Sequence, residues 1–505
     1  MWSMASGRTG MLDAAPRTIG FVLWFGFILF CIGLNQSNGL SCADDAYFAI
    51  IAKSLASGLG YATTFATSGE ISHPVLFNPS TGTGPTLIVP CAVAFKIFGK
   101  NEVLPGLTAI LTWGSILTLV LVRISRRIDG FSFLFGISMM CAAFVATFSF
   151  HFEQWYAFLG EIVAAAFLIL AHWIISNERF SKKSSLLCSL AVGCAFQAKF
   201  IAIIAAIGIP LVFVVRGMRA SLRPLQWVQH VAALLIGFLI PTLTFEAYKL
   251  FELGGHGYLA NWHQLLHATK SMGMQSSNYV NSLLLKQRIA LVHDRFGVNL
   301  TEFLILIALG ILLYCRSASK NWILLSAGLL LSVATAAIYW VTLSIGWARY
   351  LVIAVAIAAF FLSIPIFTLE LWRKLFFAVL TLLFLRTGFS RAGYSVHLAD
   401  HGLFRPTTED AARASLVRII GQRKQETTIV ISASQSWPSY AAVEFLLPGS
   451  INFKTVKAPS ELREPEIILL NHRFDPPHDE LINKIRARTS STIFAAGPYE
   501  LLEVR

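Results

Sequence analysis

Apolar runs of about 20 residues recur along most of this chain, each the length a helix needs to cross the roughly 30 Å hydrocarbon core of a bilayer. They fall at 18–37, 103–122, 131–150, 157–176, 184–199, 200–215, 226–245, 298–315, 321–343, 351–370 and 375–390. Inside lipid a backbone must satisfy its own hydrogen bonds, so such runs become α-helices. The runs are continuous rather than alternating, which excludes a membrane β-barrel. Charged residues are 13% of the 505 positions, well below the roughly 25% of soluble domains. The expected fold class is a polytopic α-helical membrane protein of about 11 transmembrane helices. The first run lacks a small-x-small cleavage site and reads as a retained anchor, not a signal peptide.

The charges between the runs set the topology. With the N-terminus inside, the predicted cytoplasmic segments hold Arg8 and Arg17; Arg123, Arg126 and Arg127; Arg179, Lys182 and Lys183; Arg216, Arg219 and Arg223; Arg316 and Lys320; Arg373 and Lys374. Every one is basic, as the positive-inside rule requires. Much of the net charge of +13 is accounted for in this way and calls for no nucleic-acid partner. The remainder suits an acidic substrate or anionic lipid head groups.

The same rule decides two ambiguous stretches. Residues 85–98 are apolar but short and broken by Pro90 and Lys96, and counting them as a span would put Arg123, Arg126 and Arg127 outside. They read as an interfacial or re-entrant helix. Residues 184–215 read as a short helical hairpin with Lys199 at its outer tip, which keeps the flanking basic clusters on one side. Each arm is shorter than a full span, so the tip is expected at or below the outer surface.

Residues 1–390 therefore form a transmembrane domain, with a first outer loop at 38–102 and a second at 246–297, rich in His, Tyr, Asn and Gln. Residues 391–505 have the composition of a small soluble α/β domain, placed outside by parity. In it, Thr407–Ile420 and Asp479–Arg486 read as helices, and 427–431, 466–470, 491–494 and 501–504 as strands. Seven Cys make no disulfide framework. Five fall in apolar runs, where they pack as small hydrophobes. Cys42 and Cys91 flank the first loop and are the one pair a bridge could join.

Chemistry is expected at Asp44 and Asp45, where the chain leaves the first span. Asp45–Leu59 has apolar residues at Tyr47, Ile50, Ile51 and Leu55, one face of a helix, and reads as an amphipathic helix at the membrane surface. The pair stands at its N-terminal end, where the helix dipole keeps a carboxylate ionised and basic. Capping alone is the simpler reading of the spacing, since Asp is a preferred N-cap.

The loop that follows changes that weighting. Asp44-Asp45-Ala46-Tyr47 and then Ala52-Lys53-Ser54-Leu55-Ala56-Ser57-Gly58-Leu59-Gly60-Tyr61 resemble the first outer loop of the GT-C superfamily of integral-membrane glycosyltransferases. Asn78-Pro79-Ser80-Thr81-Gly82-Thr83-Gly84-Pro85 and the stretch ending Phe95-Lys96-Ile97-Phe98-Gly99 resemble its later part. The similarity is greatest with members that use polyprenyl-phosphate sugars, such as protein O-mannosyltransferases and the lipid A aminoarabinose transferase. It covers about a fifth of the chain.

The resemblance implies a multi-pass protein of the bacterial inner membrane, its N-terminus cytoplasmic and its tail domain periplasmic. It implies a polyprenyl-phosphate-linked sugar donor and a glycan, lipid or protein acceptor, with membrane lipids as surroundings. One carboxylate, by position Asp44, is the general base that deprotonates an acceptor hydroxyl; that oxygen displaces the lipid phosphate with inversion. Asp45 orients the loop or assists, and which of the two is the base stays open.

Further site residues follow by position. Glu161, near the outer end of the fourth span, is carried over as an active-site acid, against the plainer reading of an interfacial carboxylate. Lys199, and Arg349 with the neighbouring Tyr350, are the candidates to hold the donor phosphate. Their plainer readings are a snorkelling lysine and an aromatic anchor belt. His73 and Asn78 are expected to line the site. A divalent cation, Mg or Mn, is used by some members and not others, and this chain has amides and hydroxyls near Asn78 where some relatives carry an acid. His263 and His267 stand four apart, a metal-compatible spacing, but with no acid placed between them they read as solvated.

There is no Walker-type or dinucleotide motif. A lipid-linked sugar transporter would call for two related halves and charges spread along a pathway. A non-catalytic cell-envelope scaffold would make Asp44, Asp45 and Glu161 dispensable.

Overall fold

The computed structural model describes residues 6–40, 43–65, 73–78, 83–275, 320–342, 351–368, 408–422, 428–432, 441–447, 452–456, 467–471, 489–496 and 499–504. It also describes single positions among 287–290, 375–390 and 483–487. Helices dominate: α1 (Ser6–Asn38), α2 (Ala43–Ala56), α3 (Pro85–Phe98), α4 (Val103–Ser125), α5 (Gly130–His151), α6 (Glu161–Asn177), α7 (Lys182–Ala198), α8 (Ala202–Ala205), α9 (Gly208–Arg219), α10 (Pro224–Gln275), α11 (Lys320–Thr342) and α12 (Val352–Thr368). Among the described residues, six helical stretches are long and apolar enough to cross a membrane, so the chain is a multi-pass membrane protein. The expected span at 298–315 lies outside the described residues, as does most of 375–390.

The bundle is held by a large aromatic core. Trp24 and Phe27 of α1, Trp113 of α4, Phe144 of α5 and Trp155 interlock, with Trp113 and Trp155 edge to face at 5.5 Å. Trp24 is fully buried and its indole N–H donates to Thr118 Oγ1 at 2.7 Å. That bond satisfies the one polar atom such a ring carries into the interior.

The basic segments meet at one end of the bundle. Arg17 donates to Ile128 O at 3.0 Å, and Glu178 Oε1 lies 3.5 Å from Arg123 and 3.7 Å from Arg127. Arg216 donates to Glu178 O at 2.8 Å. The described segments that the charge pattern assigned to one side of the membrane do lie together. The chain also turns back at Lys199, with α7 rising from that end and α8–α9 returning to it, both packed on α6.

Two elements depart from expectation. α2 was expected to carry one apolar face, at Tyr47, Ile50, Ile51 and Leu55, yet Ala46, Phe48, Ala49 and Ala52 are buried as well as Ile50 and Ile51. It is a core helix, packed on α3 and on the later helix α14 (Ala441–Leu446). The apolar stripe read from Tyr47 to Leu55 was too narrow because the alanines between bulky residues are contact surface too.

The other departure is α10, which runs on helically past Glu246, where a loop was expected. It breaks at Gly254, whose φ of 65° and ψ of 170° are not helical. Beyond the break the chain folds back: Trp262 Nε1 donates to Glu246 Oε2 at 3.1 Å, although 16 residues of straight helix span about 24 Å. The few Gly, His and Asn residues that suggested a loop mark this reversal instead.

The C-terminal part holds a five-stranded sheet in the order β4 (Asn452–Val456), β3 (Thr428–Ser432), β5 (Ile467–Asn471), β7 (Tyr499–Val504), β6 (Thr489–Ala496). The first three are parallel; β7 runs antiparallel to β5 and β6. α13 (Thr408–Gly421) covers it through Leu416 and Ile420, against Ile429, Leu469 and Leu501. The α/β character and four of the strands agree with expectation. β4 and α14 were missed, the first because Lys454 interrupts it, the second because six residues carry little periodicity. Most of 479–486 lies outside the described residues.

Candidate active site

At the bundle end opposite the basic residues, the loop between α1 and α4 folds over the tops of α6 and α7. Asp44 and Asp45 occupy the first turn of α2, at the positive end of that helix's dipole. They are placed within the first turn rather than before it. Asp44 is half-buried, and Asp45 is 1% exposed.

Lys199 is the centre of the arrangement. Its Nζ lies 2.9 Å from Glu161 Oε1, donates to Thr83 Oγ1 at 3.3 Å and sits 5.2 Å over the Phe48 ring. The ammonium and the carboxylate are both almost fully shielded from solvent. Neither charge could be held here alone, because desolvating an unpaired ion costs several kcal/mol. Glu161 Oε2 has no hydrogen-bond partner among the described residues. The residue at the predicted hairpin tip, Lys199, is thus buried within the protein, and Glu161 is fully buried rather than the solvated carboxylate of the plainer reading.

Close backbone contact fixes these groups. Lys199 leaves the α7 helix in extended conformation and forms an antiparallel bridge with Thr83. Gly160, just before Glu161, has a φ of +60°, and a Cβ there would lie 2.6 Å from Ala198 O. At Gly84 a Cβ would lie 2.2 Å from Gln197 O. Only glycine allows the three segments to approach so closely. Tyr61 Oη, donating to Thr83 O at 2.9 Å, secures the bridge from the loop side.

The hairpin of β1 (Ala62–Phe65) and β2 (His73–Leu76) closes another side. His73 opens β2, paired with Phe65. Asn78 Nδ2 donates to Tyr47 Oη at 2.9 Å and to Thr63 Oγ1 at 3.3 Å, which ties the hairpin to α2. Asn261, on the folded-back arm of α10, donates to Phe77 O at 2.8 Å. Sequence reasoning missed Thr83, Phe48 and Asn261. Thr83 stands in the quoted loop motif but was given no role, and the roles of all three come from contacts 116, 151 and 184 residues away in the chain.

Arg349 and Tyr350 lie outside the described residues. His263 and His267 are exposed on α10. Among the described residues no three His, Cys, Asp or Glu side chains come together as a metal site requires, and Glu161 is engaged by Lys199. Cys91 is a buried free thiol in α3, and Cys42 lies outside the described residues.

The C-terminal part contacts the same loop. Lys53, near the end of α2, donates to Glu444 O at 3.0 Å, Phe445 O at 2.9 Å and Leu447 O at 2.6 Å. The first two carbonyls belong to the last turn of α14 and the third to the residue just after it. Arg413 of α13 pairs with Glu102, just before α4. Burial pulls Lys53 down from its usual 10.5 to about 8; Lys100 adds to the effect, and Glu444 opposes it.

No family model matches the chain, and no curated protein matches it. Two solved structures align over nearly its whole length. ArnT from Cupriavidus metallidurans bound to undecaprenyl phosphate is 12% identical over 99% of this chain and 98% of that one, with a TM-score of 0.43. ArnT from Cupriavidus metallidurans in the apo state is 13% identical over the same shares, with a TM-score of 0.44.

Proposed function

We propose that this chain is a membrane glycosyltransferase that passes a sugar from a polyprenyl-phosphate carrier to an acceptor hydroxyl on the non-cytoplasmic face, with inversion. The observation that carries the reading is the juxtaposition of acid and cation across one turn of α2. Asp44 and Phe48 stand four apart, so they share a helix face about 6 Å along the axis. Phe48 in turn packs under Lys199. A carboxylate on α2 to accept a proton and an ammonium at the end of α7 to meet a leaving phosphate are thus brought together over one face of α2. That is the pairing this displacement needs.

Asp44 suits the base better than Asp45. It is the more open of the two and the nearer to the Phe48 face. The acceptor hydroxyl gives its proton to Asp44; its oxygen bonds to the anomeric carbon; the lipid phosphate leaves with the bonding pair. Lys199 offsets the phosphate charge, with Arg349 and Tyr350 as further contributors by position. Glu161 holds Lys199 in place until the phosphate arrives. His73 and Asn78 border the space, and the C-terminal part lies where it can shape acceptor access. The basic bundle end is then cytoplasmic.

The test is transfer by the purified protein from a panel of polyprenyl-phosphate sugars, with Asp44→Asn and Asp45→Asn beside the native chain. Transfer that depends on Asp44 is the expected result. Full transfer by both single variants and by the double variant would overturn the base assignment, and no transfer from any donor would overturn the reaction class.

A further inference from the structure

The basic end of the bundle carries a group of atoms that the proposed reaction does not use. Trp173 Nε1, Ser176 Oγ and Asn177 Nδ2 are buried and have no hydrogen-bond partner among the described residues. Their spacing of three and four places all three on one face of the last turns of α6. Two arginines close over that face. The Arg127 guanidinium lies 5.2 Å over the Trp173 ring and donates to Asn177 O at 2.8 Å. Arg216 donates to Ser176 O and, at 3.4 Å, to Asn321 Oδ1.

Asn321 and Trp322 open α11, and Trp322 meets Trp173 edge-on at 5.6 Å. The N-terminal turn of α11, where the helix dipole favours an anion, therefore borders the same place. Charge points the same way. Among the described residues Arg123 and Arg127 pair with one carboxylate, Glu178, at 3.5 and 3.7 Å, while Arg216 donates to its backbone carbonyl. Helix-end capping accounts for the arginine–carbonyl bonds. It does not account for three buried polar atoms left unmatched beside a surplus of positive charge, because buried polar groups ordinarily have partners.

We propose that this cluster binds a phosphate-bearing anion, the headgroup of an anionic phospholipid in the adjoining leaflet. The phosphate oxygens accept from Asn177, Ser176 and Trp173, with Arg127 and Arg216 on either side. A phosphodiester supplies acceptors without donors, which is what these atoms lack. The cluster stands at the ends of spans, at headgroup depth, where basic pockets between helices capture such lipids.

The test uses the full chain in neutral detergent, with phosphatidylglycerol, phosphatidylcholine and inorganic phosphate as separate probes. Native mass spectrometry reads retained lipid, and thermal unfolding reads phosphate. Phosphatidylglycerol should be retained at least tenfold over phosphatidylcholine. Asn177→Leu, which leaves both arginines in place, and the milder Ser176→Ala should each cut that preference at least threefold. Lys182→Ala/Lys183→Ala, which removes two exposed charges nearby, should leave it unchanged.

Equal loss in the lysine variant would mean diffuse attraction and would overturn the site. Full preference in both Asn177→Leu and Ser176→Ala would do the same. Stabilisation by inorganic phosphate that Asn177→Leu abolishes, without lipid preference, would support the phosphate site and overturn the lipid as its source. None of these readouts involves sugar transfer.

Discussion

Lys199 Nζ sits 2.9 Å from Glu161 Oε1 with both side chains shut away from solvent, so neither charge is tenable without the other. Glu161→Gln strands a buried ammonium and Lys199→Met a buried carboxylate. Each single change should cost about 3–5 kcal/mol of stability. The double variant Glu161→Gln/Lys199→Met should recover most of that loss, because it removes both charges together. A double-mutant cycle by thermal unfolding in detergent measures the coupling. The recovered double variant should still transfer no sugar, which separates the chemical role of Lys199 from its structural one. Additive single losses would contradict the pairing.

The two adjacent aspartates should behave differently. Asp44 is half open and aligned with Phe48, whereas Asp45 is 1% exposed. Asp44→Asn keeps the shape and removes the base, so kcat should fall about 10²–10⁴-fold with the unfolding temperature little changed. Asp45→Asn should lower the unfolding temperature. Steady-state kinetics and unfolding on the same preparations distinguish them, and the reverse pattern would assign the base to Asp45.

The helices and the charge arithmetic were readable in the sequence because lipid imposes a one-dimensional rule, in which a run is long and apolar or it is not a span. Arg17, Arg123, Arg127 and Arg216 therefore could be grouped before any contact was seen. The burial of Lys199 was only half readable. Shortness of the 184–215 arms indicated a low tip, but Thr83 and Glu161 reach it from distant segments. The extent of α2 burial was not readable, because periodicity shows one preferred face and cannot show that α14, nearly 400 residues later, covers another. The continuation of α10 past Glu246 was hidden because polar residues facing other loop residues look like polar residues facing water.

Lys53 should make the docking of the C-terminal part depend on pH. Its folded-state value of about 8 lies below the usual 10.5, because burial penalises the ammonium. Between those values the unfolded chain still holds a proton that the folded chain has released, so stability rises with pH across that window. Below about pH 8 the penalty of burying the charge is complete; above about 10.5 it is gone. Thermal unfolding from pH 7 to 10.5 should show this rise in the native chain and lose it in Lys53→Met. The same variant, deprived of three carbonyl contacts, should expose the C-terminal part to protease sooner.

Asn261 should act as a positioning residue for the loop that carries Asn78. Phe77 adopts a φ of 49°, a left-handed conformation that a bulky residue rarely takes. Its carbonyl is held there by Asn261 Nδ2, and its ring by stacking on Tyr61 at 5.6 Å. The next residue, Asn78, then reaches Tyr47, two residues beyond Asp45. Asn261→Leu leaves a buried carbonyl unpaired and should cost about 1–3 kcal/mol. Asn261→Asp, which keeps the size but cannot donate, should cost at least as much and add repulsion between carboxylate and carbonyl. If the bond serves the site as well as the fold, both variants should raise KM for the donor or lower kcat at temperatures well below unfolding. Asn261→Gln should restore part of the effect by offering the same amide from a longer arm. Stability loss with unchanged kinetics would leave Asn261 a structural tie alone.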